Sequence, residues 1–214
     1  NKFGEIKNDI VESFNYLKKA VDKGDATAMA LYGQYIEHGR AFNKADPETA
    51  IQYYQQSYEK GDMTWYALLG SALYNGSGGL IKNEEDGESL IQISMEMNNI
   101  YGIRSYACDI VQDKEERNKY LKILADLDDP CGYVNLGLIY YKGDGVEKNV
   151  ELALKYFERA IEEGSSRAPH ILAMDYFNGN PNTGLKKDVD KGIKYMKLAV
   201  DNGNHDALFT YPYE

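Results

Sequence analysis

The sequence predicts an all-α solenoid of stacked helix pairs, and three observations carry that prediction. One apolar pattern recurs six times, each copy lies between a helix-start and a helix-stop residue, and a second helical pattern with a small central residue precedes the five later copies. The recurring pattern is a small or polar residue, an aromatic or aliphatic pair, a small residue, and then a turn residue. It reads Ser13-Tyr16-Leu17-Ala20-Gly24 at its first appearance and Ala153-Tyr156-Phe157-Ala160-Gly164 at its clearest. The turn residues Gly24, Gly61, Asn98, Asp128, Gly164 and Gly203 stand about 30–39 residues apart, a period that marks a stacked repeat protein.

Each copy reads as one helix, the B helix of its unit. The six B helices are expected at about 9–24, 46–61, 83–98, 113–128, 149–164 and 188–203, in a single array over 1–214. Asp9, Asp46, Asn83, Asp113, Asn149 and Asp188 stand at their starts. Asx side chains accept hydrogen bonds from the orphan amides of a first helical turn. Pro47 follows Asp46 where a missing amide hydrogen does no harm. The apolar residues recur at helical spacing, so one stripe faces a core.

The preceding A helices run through Tyr32-Gly33-Ile36, Leu69-Gly70-Leu73, Tyr106-Ala107-Ile110, Leu136-Gly137-Tyr140 and Leu172-Ala173-Tyr176. Glycine inside a helix costs about 1 kcal/mol relative to alanine, so its recurrence implies close helix-helix approach. Ile36, Leu73, Ile110, Tyr140 and Tyr176 are expected in the core. The third unit is degenerate. Ala107 is followed by Arg117 after ten residues, where 16 separate Gly137 from Ala153, and its loop lacks glycine. A bend or offset of the stack is expected between Asn98 and Pro130. Most of the 19 tyrosines are expected to be structural, with Tyr53, Tyr54, Tyr120, Tyr156 and Tyr195 filling the contact between A and B helices.

The run Leu136-Gly137-Leu138-Ile139-Tyr140-Tyr141-Lys142-Gly143-Asp144-Gly145-Val146, followed by Ala153, Tyr156, Ala160 and Gly164, resembles a Sel1-like repeat, a relative of the tetratricopeptide repeats. The resemblance covers about residues 10–205. It implies a right-handed α/α superhelix of stacked antiparallel helix pairs, whose members usually act as adaptors for other proteins. It also brings one catalytic alternative, a hydrolase of cell-wall or β-lactam type. A regulatory module of a larger protein is a further alternative. Some bacterial relatives staple each helix pair with a disulfide, a pattern missing here. Cys108 and Cys131 are expected not to pair, because a bridge needs Cα atoms within about 7 Å; they read as small hydrophobic fillers.

By resemblance to the tetratricopeptide group, the A helices line the concave face. Three positions per unit then point into a groove. The first gives Gln34, Ser71, Cys108, Leu138 and Met174. The second gives Glu37, Tyr74, Val111, Tyr141 and Phe177. The third gives His38, Asn75, Gln112, Lys142 and Asn178. Aromatic and aliphatic anchors among amides suit a protein or peptide segment, where a few large side chains carry most of the energy. The competing reading is that Tyr74, Tyr141 and Phe177 pack between A helices, as helical aromatic stripes often do.

Chemistry is otherwise scarce. The histidines His38, His170 and His205 lie in different units, with no metal-ligand spacing, so no metal or cofactor is expected. No nucleophile elbow, Walker loop or dinucleotide fingerprint occurs. Asp126, Asp128 and Asp129 with Asp113, Glu115 and Glu116 form an acidic region without calcium-loop spacing. A formal charge of −10 disfavours nucleic acid and anionic lipid as partners, and is accounted for by solubility. No apolar run is long enough to span a membrane. The start at Asn1 rather than Met reads as part of a longer protein or as a mature form after cleavage. A cytoplasmic location is expected, or a secreted or periplasmic one if a signal peptide has been removed.

Overall fold

The computed structural model describes residues 14–37, 46–77, 80–181 and 183–204. All regular structure among them is helical, apart from one isolated bridge between Asn180 and Leu185. Helix α1 is described over 14–22. It is followed by α2 (Ala26–Glu37), α3 (Pro47–Glu59), α4 (Thr64–Asn75), α5 (Glu84–Glu96) and α6 (Ile100–Ser105). Then come α7 (Lys114–Asp126), α8 (Pro130–Lys142), α9 (Val150–Glu162), α10 (Arg167–Asn178) and α11 (Val189–Asp201). Even-numbered members are the A helices and odd-numbered ones the B helices. Each of α2, α4, α8 and α10 packs along the helix that follows it.

The boundaries follow from the caps. Asp46, Asn83, Asp113, Asn149 and Asp188 each accept a hydrogen bond from the amide three residues on, at 2.8–3.2 Å. Asp9 lies outside the described residues. The same Asx residues also close the hairpin. Their own amides donate to a carbonyl of the preceding A helix: Asp46 to Ile36, Asn83 to Leu73, Asn149 to Tyr140 and Asp188 to Tyr176. One residue type thus caps helix B and fixes its register on helix A. At the far ends, Asn98 and Asp128 adopt φ of 54° and 55°, in the left-handed region that glycine takes in the other units.

The chain divides into two compact units, Asn1–Val111 and Gln112–Glu214. The core of the first gathers Phe14, Tyr32, Ile36, Ala50 and Tyr54. The core of the second gathers Val134, Tyr141, Ala153, Phe157, Ala160 and Leu172, with Ala173, Met196 and Ala199 beyond them. Of the expected A-helix core residues, Ile36 and Ile110 are buried, and Leu73, Tyr140 and Tyr176 are half-buried. Tyr140 stacks on Tyr156 and Tyr176 on Tyr195, both at 5.7 Å between ring centroids.

The small A-helix residues mark close approach. A Cβ added to Gly137 would lie 2.7 Å from the Phe157 ring, and one on Gly33 would lie 2.8 Å from the Tyr54 ring. Real Cβ atoms essentially never make contacts this short, so a side chain at either position would force its neighbour to move.

The third repeat departs from the others. Helix α6 has six residues and runs into a π-helical turn, Tyr106–Ile110, closed by the Val111 amide on the Tyr106 carbonyl. Only Val111 and Gln112 then precede the Asp113 cap, so the inter-helix loop is absent. The π turn is a rare form that ends a six-residue helix, and array stability is a sum over units and their neighbours. Amides over residues 100–111 are therefore expected to exchange about tenfold or more faster than those over 137–164. Equal protection in a native-state hydrogen-exchange experiment would refute this.

Candidate functional site

The A-helix rows sort into side chains spent inside the fold and side chains left outside. Glu37 belongs to the first group, contrary to the groove expectation. It is 2% exposed, and both of its carboxylate oxygens are taken. The Tyr54 hydroxyl donates to one at 2.7 Å, and the Ser77 hydroxyl donates to the other at 2.8 Å. A buried carboxylate needs such partners. Burial, and then the adjacent Glu37 charge, raises the Tyr54 phenol well above its ordinary value, so it stays a donor.

Tyr141 is also turned inward. Its ring meets Phe157 edge-on at 5.6 Å, and its hydroxyl donates to Asp175 and lies 3.1 Å from the Thr183 hydroxyl. Asn180 donates to the other Asp175 oxygen at 3.0 Å. Burial first, and the Asp175 carboxylate second, raise the Tyr141 phenol. Phe177 is half-buried; a Cβ on Gly192 would meet its ring at 2.5 Å. These contacts follow the packing alternative for Tyr141 and Phe177.

In the first unit, Ser71 is half-buried and donates to Asp109 at 2.9 Å, tying α4 to the π turn. Asn75 is exposed, and its amide reaches the Ser71 carbonyl at 3.1 Å. Gln34 and Tyr74 are half-buried, Val111 is half-buried, and Gln112 is exposed. His38 lies outside the described residues. In the second unit, Leu138 is half-buried, Lys142 and Asn178 are exposed, and Met174 is 38% exposed. The Asn178 amide bonds the Met174 carbonyl at 3.0 Å. Both groove asparagines thus bond their own helix, one turn back.

Asp109 and Asp175, absent from the expected groove, are the residues the sequence reading missed. Their signal was available: each is an acid two places after the small A-helix residue, inside an apolar helix. Cys108 and Cys131 are unbridged, as expected, but Cys108 is exposed rather than a filler. Among the described residues no cluster of three or more His, Cys, Asp or Glu could hold a metal ion. Nor is any described helix long and apolar enough to cross a membrane.

Several solved structures share this architecture. The chain is similar to a Sel1 repeat protein from Oxalobacter formigenes at 23% identity and a TM-score of 0.61, over 92% of this chain and 86% of that one. It is similar to c5321, a protective antigen of uropathogenic Escherichia coli with an SLR fold, at 22% identity and a TM-score of 0.58. That match covers 94% of this chain but 43% of the antigen, so the chain spans less than half of it. It is also similar to the immunity protein Pa5087 from Pseudomonas aeruginosa, at 20% identity and a TM-score of 0.65, over 86% of this chain and 68% of that one. Likeness at these identities carries the fold alone. No curated protein matches the sequence. The Sel1 repeat itself matches at 2–25, 26–62, 66–94, 132–165 and 170–204. The stretch it skips contains the shortened third unit, and each later match holds one A helix with its B helix. With five such repeats along its length, the chain belongs to the Sel1 repeat family.

Proposed function

We propose that this chain is a protein-interaction scaffold that receives a partner segment along the exposed faces of its A helices. Sel1 repeats mediate protein interactions and are generally non-catalytic scaffolds. The observation that supports this face is Met174. It is an apolar side chain left 38% exposed on α10, while Leu172 and Ala173 beside it are buried. Leu138 occupies the matching position on α8, with Lys142 and Asn178 one turn further along. Gln34, Ser71, Tyr74 and Asn75 form the corresponding row in the first unit. Glu37 and Tyr141 support this face from beneath rather than touching a partner.

The test is co-purification with the native chain, with Met174→Glu, and with Glu158→Lys on the exposed side of α9. Met174→Glu should weaken retention of the partner about tenfold or more, as expected for an anchor residue, while Glu158→Lys leaves it unchanged. Retention lost with Glu158→Lys and kept with Met174→Glu would overturn the assignment.

A further inference from the structure

The second unit is asymmetric in how it uses its charges, and the asymmetry falls at one edge. The loops from α8 to α9 and from α10 to α11 share this edge. A hairpin closed by the Asn180 amide on the Leu185 carbonyl at 2.8 Å is laid against the end of α8. Thr183 meets the Tyr141 hydroxyl, and Leu185 packs on the cluster that contains Tyr141. Lys142 ends α8, Lys148 lies against Gly143, and Lys186 and Lys187 follow the hairpin, with the Lys187 amide 3.2 Å from a Cβ placed on Gly179.

Three carboxylates of this edge are partnered within the chain. Asp144 takes Lys114 at 2.6 Å and Arg117 at 2.8 Å. Asp175 takes Tyr141 and Asn180. Asp188 caps α11 through the Lys191 amide. Glu147 is the exposed acid left in the two loops. Three of the lysines stand apart: Lys142, Lys186 and Lys187 are exposed and form no ion pair with a described residue. Beside them Val189 is 46% exposed, an apolar neighbour for an apolar side chain.

From this arrangement we propose that the loop edge bearing Lys142, Lys186 and Lys187 docks an acidic segment of a partner protein, with Val189 contacting an apolar residue of that segment. The inference rests on the scaffold reading and adds the partner's chemistry. It runs against the overall charge of −10, which favours a basic partner at long range. At physiological ionic strength that repulsion is screened beyond about 8 Å, so contact-range lysines decide the sign. A partner that supplies carboxylates also gains from cations not already neutralised within the fold.

The test uses the full chain and three labelled probes followed by fluorescence anisotropy. They are a peptide of about twelve residues alternating Glu and Leu, its Lys and Leu counterpart, and an oligothymidylate of equal charge. The acidic peptide should bind, and should weaken steeply as salt rises from about 50 to 200 mM. Lys142→Ala and the pair Lys186→Ala/Lys187→Ala should each lower its affinity about threefold to tenfold. These positions are exposed, so unchanged melting curves keep the comparison clean. Failure of the acidic peptide to bind, stronger binding of the basic peptide or of the oligothymidylate, or indifference to the lysine substitutions overturns the proposal. Indifference to the lysines with loss on Met174→Glu removes the charged edge and leaves the scaffold reading standing.

Discussion

Phe157→Ala is expected to cost about 3–5 kcal/mol of unfolding free energy, the range for emptying a fully buried aromatic site. Phe157 is 0% exposed and sits between Gly137 on α8 and Tyr141, at the centre of the second unit's core. The informative measurement is a double-mutant cycle with Gly137→Ala. Alone, Gly137→Ala drives a Cβ to 2.7 Å from the Phe157 ring and should destabilise by about 1–3 kcal/mol, the cost of overpacking. Once Phe157 is alanine, that obstacle is gone. Gly137→Ala should then stabilise by about 1 kcal/mol, the helix preference for alanine over glycine. The coupling between the two sites is thus large and favourable. Urea denaturation of the four proteins reads it directly. Simple additivity would show that Gly137 is not there to admit the ring.

Gly87→Ala should destabilise by about 3 kcal/mol, and no side-chain truncation should rescue it. Here two backbones touch. A Cβ at Gly87 would fall 2.6 Å from the Tyr74 amide nitrogen and 2.7 Å from the Gly70 carbonyl oxygen. A Cβ at Gly70 would fall 2.8 Å from the Gly87 carbonyl. Helices α4 and α5 cross through this pair of glycines, so the only relief is to move one helix. Intrinsic propensity predicts the opposite sign, a gain of about 1 kcal/mol. A melting temperature raised by Gly87→Ala would therefore sink the close-approach argument.

Gly70 and Gly137 show how much was legible in the sequence. Glycines recurring where a helix should not want them announced close approach, and the structure places a ring or a backbone at each. The Asx caps were equally readable, because a cap acts on the few residues that follow it. The rows of the groove were less so. The positions four and five places after the small residue are neighbours on a helix, and which one faces out depends on how that helix leans on its partners. At Glu37 and Tyr141 the lean is inward, and a polar partner waits there: Tyr54 and Ser77 for the acid, Asp175 for the phenol. Those partners lie 17 to 40 residues away in sequence. Tyr54 lies in the same repeat as Glu37, but Ser77, and Asp175 for Tyr141, belong to the next repeat, which a pattern read within one repeat does not contain.

The sequence by itself determined the repeat, its period, the start and stop of its helices, and the unit that breaks the rule. All of these rest on local forces: amide capping, glycine's access to positive φ, and the 3.6-residue spacing of apolar side chains. Only the tertiary structure decided which polar side chains are consumed in holding neighbouring helices and which are left exposed. It turned Glu37 and Tyr141 into internal ties, replaced the missing loop of the third unit with a π turn, and left Met174 and the lysine edge outside. The reason is that burial is a property of neighbours. A carboxylate or phenol is drawn inside only where distant groups can satisfy it, and the chain must fold before those groups meet.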